Sequence, residues 1–323
     1  MLTDDEQQMS AENCPWLEVG GATLLPNSAQ ELWQIIGSIS FGMEAGTKFV
    51  WRGMADANYP VQSSLHRDFT LMEIEPTEEV IRSHERKLIE KARDWGLAGS
   101  EFGHSTDLHI LAMLQHHGVH TRLIDATYNP MTALWFACAD KPEQPGVLVS
   151  MVVTDPEVYE TSTRLQATVG SLGDPYGWDY NHALEESAQN GEVFLVVPRY
   201  RDARMTAQEG LFITSAIPHE ESHPALLGLP RPPHNALFGL MATFMSGGIS
   251  AKQDTAWGPF AAAGIVIMPS VKNEVLRVLE TSFNRSRQTM YPDLPGFVQE
   301  YRDKINVDDT WHTIRPQGMK DSK

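Results

Sequence analysis

Apolar positions fall into alternating helical and strand-like runs along most of the chain. Asn27 or Ser28 is placed to cap a helix to about Gly42, with Leu32, Ile35, Ile36 and Ile39 at helical spacing. Lys48-Phe-Val-Trp-Arg-Gly53 reads as a strand ending in Arg-Gly. A charge-rich amphipathic helix is expected from about Pro76 to Gly96, its Glu78, Glu79, Arg82, Glu85, Arg86 and Lys87 forming a solvated face. Another helix, about Thr106 to His116, turns Leu108, Leu111, Ala112 and Leu114 inward. Gly146–Val153 is a buried-strand pattern, and Glu192–Pro198 is a second. Arg204–Thr214 reads as a polar turn followed by a third strand, and Gly264–Pro269 as a fourth. A helix over about Val271–Phe283 and a last short helix near Tyr301 follow. Ala22–Leu25 suggests one short strand in an otherwise flexible lead, and residues 155–190 read as an irregular or helical insertion. Strands without regular helical crossovers predict an α+β fold, a mixed central sheet with surrounding helices.

The densest stretch is Gln115–Ala139. Gln115, His116, His117 and His120 surround one glycine, and Thr121, Arg122 and Asp125 add a hydroxyl, a cation and a carboxylate. Asn129-Pro130 marks a turn and a helix start, because proline suits the first helical turn. The helix that follows is apolar through Met131, Leu134, Trp135, Phe136 and Cys138, and too short to span a bilayer. A polar turn set at the mouth of a buried helix can hold reactive side chains still.

Composition narrows the chemistry. The chain has 323 residues and a formal net charge of −17, which argues against a general duplex-DNA binder but leaves room for a small basic pocket. Cys14 and Cys138 lie far apart, so a disulfide framework is not expected and a cytoplasmic setting is the default. No run approaches the roughly 18 apolar residues of a membrane span, and the start of the chain has no signal-peptide pattern. His116, His117, His120 and Asp125 are metal-ligand types. However, Gly118 is expected to break the helix between His116 and His120, so no metal site is expected. Cys138 sits where a thiol behaves as a small hydrophobe. The chain contains no Gly-x-Ser-x-Gly elbow and no phosphate-binding Gly-rich loop with lysine.

Arg52 at a strand end, with Gly53 allowing close approach, is a candidate anion clamp; the ordinary alternative is a buried ion pair. Ser64 and Arg67 offer a further hydroxyl and cation.

Phe49-Val-Trp-Arg-Gly53, Ser64-Leu-His-Arg67, Gln115–Asp125, Asn129-Pro130, Ala133–Ala137, Arg204 with Gln208–Phe212, and Tyr291-Pro-Asp293 together resemble the FRG domain, named for a Phe/Tyr-Arg-Gly signature. Trp51 stands where the signature has Phe or Tyr. The resemblance covers a domain over about 28–305; the residues themselves suggest a flexible lead at 1–27, an insertion-like region near 218–258, rich in Pro, Gly and His without periodicity, and a tail at 306–323. The resemblance also implies a bacterial or phage setting, with phage defence or a toxin role in view.

A more distant likeness is to mono-ADP-ribosyltransferases. The early Arg52-Gly53 is similar to the arginine motif that holds NAD phosphates, Ala133–Ala137 to the segment opening the nicotinamide pocket, and Glu192–Pro198 to the strand carrying the catalytic glutamate. This likeness implies NAD as substrate. Arg52, Gly53, Ser64, Arg67, Arg122 and Asp125 would then shape the phosphate side, and Trp135 or Phe136 would stack on nicotinamide. Glu192 or Glu209, with Gln208, would serve the cationic ribose, and His116 would act as base or hold the ribose. Core packing is the plainer reading of Trp135 and Phe136. The expected partners are a nucleotide-like small molecule and a protein or nucleic-acid acceptor, with no membrane. The competing class is a non-enzymatic ligand-sensing or protein-binding module, in which Arg52, Arg122, Asp125 and Gln208 form a polar network that fixes the fold.

Overall fold

The computed structural model describes residues 23–41, 48–59, 61–97, 107–153, 184–185, 187–188, 194–198, 202–217 and 260–301. Glu192, the 218–258 region, the first 22 residues, most of 155–190 and the 306–323 tail lie outside the described residues.

The described strands are β1 (Thr23–Leu24), β2 (Lys48–Met54), β3 (Ile124–Thr127), β4 (Gly146–Val153), β5 (Phe194–Val196), β6 (Gly210–Thr214) and β7 (Phe260–Ile267). They form one sheet in the order β1-β7-β4-β2-β3-β6-β5. Every pairing is antiparallel except β1 with β7, so the sheet is mixed, in an α+β fold. The longest ladders join β4 to β2, from Lys48↔Val153 to Met54↔Val147, and to β7, from Gly146↔Ile267 to Val153↔Phe260.

Helices α1 (Ala29–Phe41), α2 (Ser64–Leu71), α3 (Glu78–Asp94), α4 (Asp107–His116), α5 (Pro130–Cys138), α6 (Ala203–Ala207), α7 (Pro269–Phe283), α8 (Arg287–Met290) and α9 (Leu294–Tyr301) surround it. The helices and strands expected from periodicity are present within a few residues of their anticipated bounds. Two local expectations change, and one element was not anticipated. Ile124–Thr127, read as part of a polar turn, is a strand paired to both β2 and β6. The turn at Arg204 is a short helix capped by Asp202, whose Oδ1 accepts the Met205 N–H at 2.8 Å. Ser64–Leu71 is a helix capped by Ser63. All three are short, so tertiary pairing and caps decide them rather than periodicity.

Strand alternation divides the core. Val50, Met54, Val147, Val149 and Met151 join Ile124, Leu211, Ile213 and Val266 in one cluster. Trp51, Leu148, Ile265 and Ile267 pack with α1, α5 and α7 in another. A third gathers α3 and α4 around Leu123, Met205 and Phe212.

Helix α5 lies unusually close to the sheet, and two glycines make that possible. A Cβ on Gly53 would stand 1.7 Å from the Ala133 carbonyl oxygen, and one on Gly146 would stand 2.2 Å from that of Ala137. The start of α5 is fixed by Asn129, whose Oδ1 accepts the Met131 N–H at 2.9 Å, with Pro130 in the first turn as anticipated. Beyond its other end, fully buried Lys272 of α7 donates to the carbonyls of Ala55, Asp140 and Lys141 at 2.8, 3.3 and 3.1 Å. Burial lowers the pKa of this lysine, but three carbonyl acceptors satisfy its ammonium. Cys138, at the C-terminal end of α5, is buried, and burial pushes its thiol up to about 12.

Two outcomes test this packing. Gly53→Ala is expected to destabilise the protein by about 3 kcal/mol, because the clash is with helix backbone that cannot rotate aside; urea unfolding measures it. In native protein, peptide-mapped thiol labelling is expected to leave Cys138 unmodified until denaturant is added.

Candidate functional site

A cleft of about 440 Å³ opens where β2, β3 and β6 meet the start of α2, the end of α4, α5, α6 and Tyr291. Its size is within the usual range for small-molecule sites. Arg52, Gly53, Ser64, Arg67, His116, Asp125, Phe136 and Gln208 of the sequence-predicted residues line it, joined by Gln115, His120, Arg204 and Tyr291.

The wall is built by a short polar chain. Arg52 Nη1 donates to the Asp125 carbonyl oxygen and stands 4.0 Å from Asp125 Oδ2. Asp125 Oδ2 accepts from Gln115 Nε2 at 3.1 Å, and Gln115 Oε1 accepts from Thr121 Oγ1 at 2.8 Å. Arg52 and Asp125 therefore converge as anticipated, with Gln115 locking the carboxylate. Burial is the main cause pulling the Arg52 pKa below its ordinary value; Asp125 opposes it and Arg67 adds to it. Arg52 Nε and Ser64 Oγ are buried without a hydrogen-bond partner among the described residues. Arg67, one turn beyond Ser64 on α2, is exposed and has no counter-ion among the described residues. Unfilled donors of this kind call for water or a ligand.

Two histidine–aspartate pairs flank the cleft. Helix α4 ends at His116 because Gly118 takes φ 88, with Val119 N–H bonded to the Leu114 carbonyl and Gly118 N–H to that of Gln115. This glycine does break the helix between His116 and His120. His116 Nε2 lies 2.7 Å from Asp202 Oδ2, and His120 Nδ1 is bonded to Asp68 Oδ2. Among the described residues no group of three or more His, Cys, Asp or Glu is placed to hold a metal ion.

On the opposite side, Arg204 makes a forked pair with Asp293, both bonds at 2.8 Å, and its guanidinium lies 5.0 Å from the Tyr291 ring centroid. The Arg204 guanidinium holds the Asp293 carboxyl below its usual range. Burial raises the Tyr291 pKa, so the phenol keeps its proton at neutral pH. Gln208 Nε2 donates to the Met290 carbonyl at 3.0 Å, tying α6 to the segment that carries Tyr291.

Three sequence-predicted residues stand elsewhere. Arg122 is 1% exposed and does not line the cleft. Its Nε donates to both Glu85 oxygens, at 3.0 and 2.9 Å, and its Nη1 to Glu78 at 2.9 and 3.2 Å. The expectation that it joins Arg52 is corrected, because a fully buried guanidinium needs its carboxylates beside it. Trp135 is buried at 3% exposure and meets Phe136 and Tyr291 edge-on. Its ring belongs to the core, as expected of large apolar side chains, and only Phe136 of the pair reaches the cleft. Glu209 also lies off the cleft wall. Its Oε1 accepts from Asn129 Nδ2 at 2.7 Å and from Arg285 Nη2 at 2.8 Å, which ties the cap of α5 to the segment after α7.

Sequence reasoning left Tyr291, Arg204, Gln115 and His120 without a role at the site, although each stands in a motif that carries the FRG resemblance. Asp68 and Asp202 carried no signal beyond being acidic.

Among known families, the FRG domain model matches residues 47–145. This stretch runs from the start of β2 to the residue before β4. It holds Arg52, Gly53, Ser64, Arg67, the Gln115–Asp125 segment and all of α5. Arg204, Gln208 and Tyr291, which complete the cleft, lie beyond it. No curated protein and no solved structure matches the chain. The mono-ADP-ribosyltransferase likeness draws no support from these comparisons. No helix among the described residues is long and apolar enough to cross a membrane.

Arg122→Met is expected to cost about 3–5 kcal/mol in chemical unfolding, because it leaves Glu85 buried without its cation. Glu85→Gln combined with Arg122→Met is expected to recover part of that loss.

Proposed function

We propose that the cleft binds a nucleotide-like anion, with NAD the leading candidate, and that ADP-ribosyl transfer is its chemistry. One observation carries the binding half. In a chain of net charge −17, Arg52 and Arg67 line one cleft, with unfilled donors on Arg52 and Ser64 and no carboxylate paired to Arg67 among the described residues. Guanidinium groups suit phosphate through forked, charge-assisted hydrogen bonds. Phe136 and Tyr291 give the same cleft an aromatic side for a planar ring.

The transfer half rests on the order of motifs along the chain and on the acid–base groups around the cleft. Its electrostatic support for a cationic ribose comes from Asp125, the carboxylate that lines the wall, or from Glu192. Glu209 is withdrawn from that role by its bonds to Asn129 and Arg285.

That withdrawal also favours a second reading, a ligand-sensing module without turnover. The two readings separate in one assay. NAD at 100 times its Kd is expected to stabilise the folded chain by about 2.7 kcal/mol, read as a rise in melting temperature. Arg67→Glu removes an exposed cation that bonds to nothing else described. It is expected to change intrinsic stability by no more than about 0.5 kcal/mol while abolishing the NAD shift. Nicotinamide release, with cell extract supplying acceptors, marks the transferase, and a shift without release marks the sensor. A shift that survives Arg67→Glu would rule out the proposed clamp.

A further inference from the structure

We infer that the group accepting transfer in this cleft is a hydroxyl, on water or on an alcohol side chain or sugar, and that His116, positioned by Asp202, removes its proton. The inference rests on the transferase reading above and names its second substrate.

The geometry of His116 gives it this role. Its Nε2 is held 2.7 Å from Asp202 Oδ2, and its ring is largely buried at 11% exposure while still lining the cleft. No other polar contact of the ring exists among the described residues, so Nδ1 is the nitrogen left for a ligand. Asp202 is itself fixed, because its other oxygen caps α6 through the Met205 N–H. A histidine fixed through one nitrogen by an immobile carboxylate can take a proton at the other, and the carboxylate then faces the imidazolium.

Charge selects the acceptor. An arginine acceptor would bring a guanidinium against Arg52, Arg67 and Arg204. Of the described carboxylates around the cleft, Asp293 is neutralised by Arg204, Asp125 is turned to the cationic ribose in this reading, and Asp202 and Asp68 are held by His116 and His120. A carboxylate acceptor needs no base, and a thiol ionises near neutral pH with little help. A hydroxyl is the nucleophile that gains most from a general base at bonding distance.

The step balances without a further reagent. The bond from ribose C1′ to the nicotinamide nitrogen breaks, and its electron pair leaves with neutral nicotinamide. The hydroxyl oxygen bonds to C1′, and its proton passes to His116 Nδ1, giving an imidazolium paired with Asp202.

The test uses the full chain with NAD, alone and with cell extract, following nicotinamide release and mapping ADP-ribose by mass spectrometry. Free ADP-ribose, or ADP-ribose on serine, threonine or sugar hydroxyls, is expected. His116→Gln is expected to lower kcat about 100-fold or more while keeping KM and the NAD thermal shift. Asp202→Asn preserves the α6 cap and the melting temperature, and is expected to lower kcat in the same direction. ADP-ribose on arginine, cysteine or carboxylate side chains, or full turnover by His116→Gln, would overturn the hydroxyl inference and leave the transferase standing. Absence of nicotinamide release under all conditions would remove the transferase reading and this inference with it.

Discussion

The close seating of α5 on the sheet is the constraint on which the rest of the structure depends. Gly53 on β2 and Gly146 at the start of β4 leave room for the carbonyls of Ala133 and Ala137, and any side chain at either position would push the helix away. With α5 seated, its cap Asn129 reaches Glu209, Glu209 reaches Arg285, and the α6–β6 corner is drawn toward the segment after α7. Phe136 comes to the cleft wall from the same helix. The glycine of the Arg-Gly pair is therefore a packing residue first. Its arginine neighbour gains a cleft because the glycine lets the helix approach. Glu209 adopts φ 50, an uncommon conformation for a side-chain-bearing residue, held by bonds from two elements.

The arginines divide by what surrounds them. Arg122 and Arg52 both stand in motifs of the FRG resemblance, yet Arg122 pairs with Glu78 and Glu85 of α3 and fastens that helix to the sheet. Arg204 closes on Asp293 and braces Tyr291. Arg52 makes one bond to a backbone carbonyl and lies 4.0 Å from a carboxylate already held by Gln115. Arg67 is left over. On the proposed reading, a binding cation would be distinguished by the lack of a side-chain partner among the described residues rather than by its motif, and that is a property of the folded chain.

This explains what could be read from the sequence. Periodicity located α1, α3, α4 and α7, because each buries one face, while unbroken apolar runs located α5, β2 and β4. The cap at Asn129 and the break at Gly118 were legible because each residue type answers one local demand. Strand β3 and helices α2 and α6 were not, being set by neighbours distant in the chain: β3 pairs with β2 and β6, and the α2 residue Leu65 donates to the Thr121 carbonyl at 3.3 Å. In the same way the motifs named the region of the cleft, but they could not tell Arg122 from Arg52, nor Trp135 from Phe136. Those distinctions turn on which neighbour a side chain meets: carboxylates of α3 for Arg122, and the core for Trp135, one residue before Phe136 on the same helix.

The overall charge sharpens what such a cleft can admit. A net charge of −17 sets a negative field around the molecule, which opposes every approaching anion in proportion to its charge. A polyanion such as a nucleic acid meets that field over many phosphates at once, and a cleft of about 440 Å³ engages only a small part of it. A small nucleotide carries few charges, and physiological salt screens them beyond about 8 Å. Once inside, it would meet Arg52, Arg67 and the unfilled donors of Arg52 and Ser64 at short range, where screening is weak. The same acidity that argues against general nucleic-acid binding would, on the proposed reading, favour a compact phosphate-bearing ligand over a long one, with selectivity resting on the size of the cleft rather than on the strength of its charge.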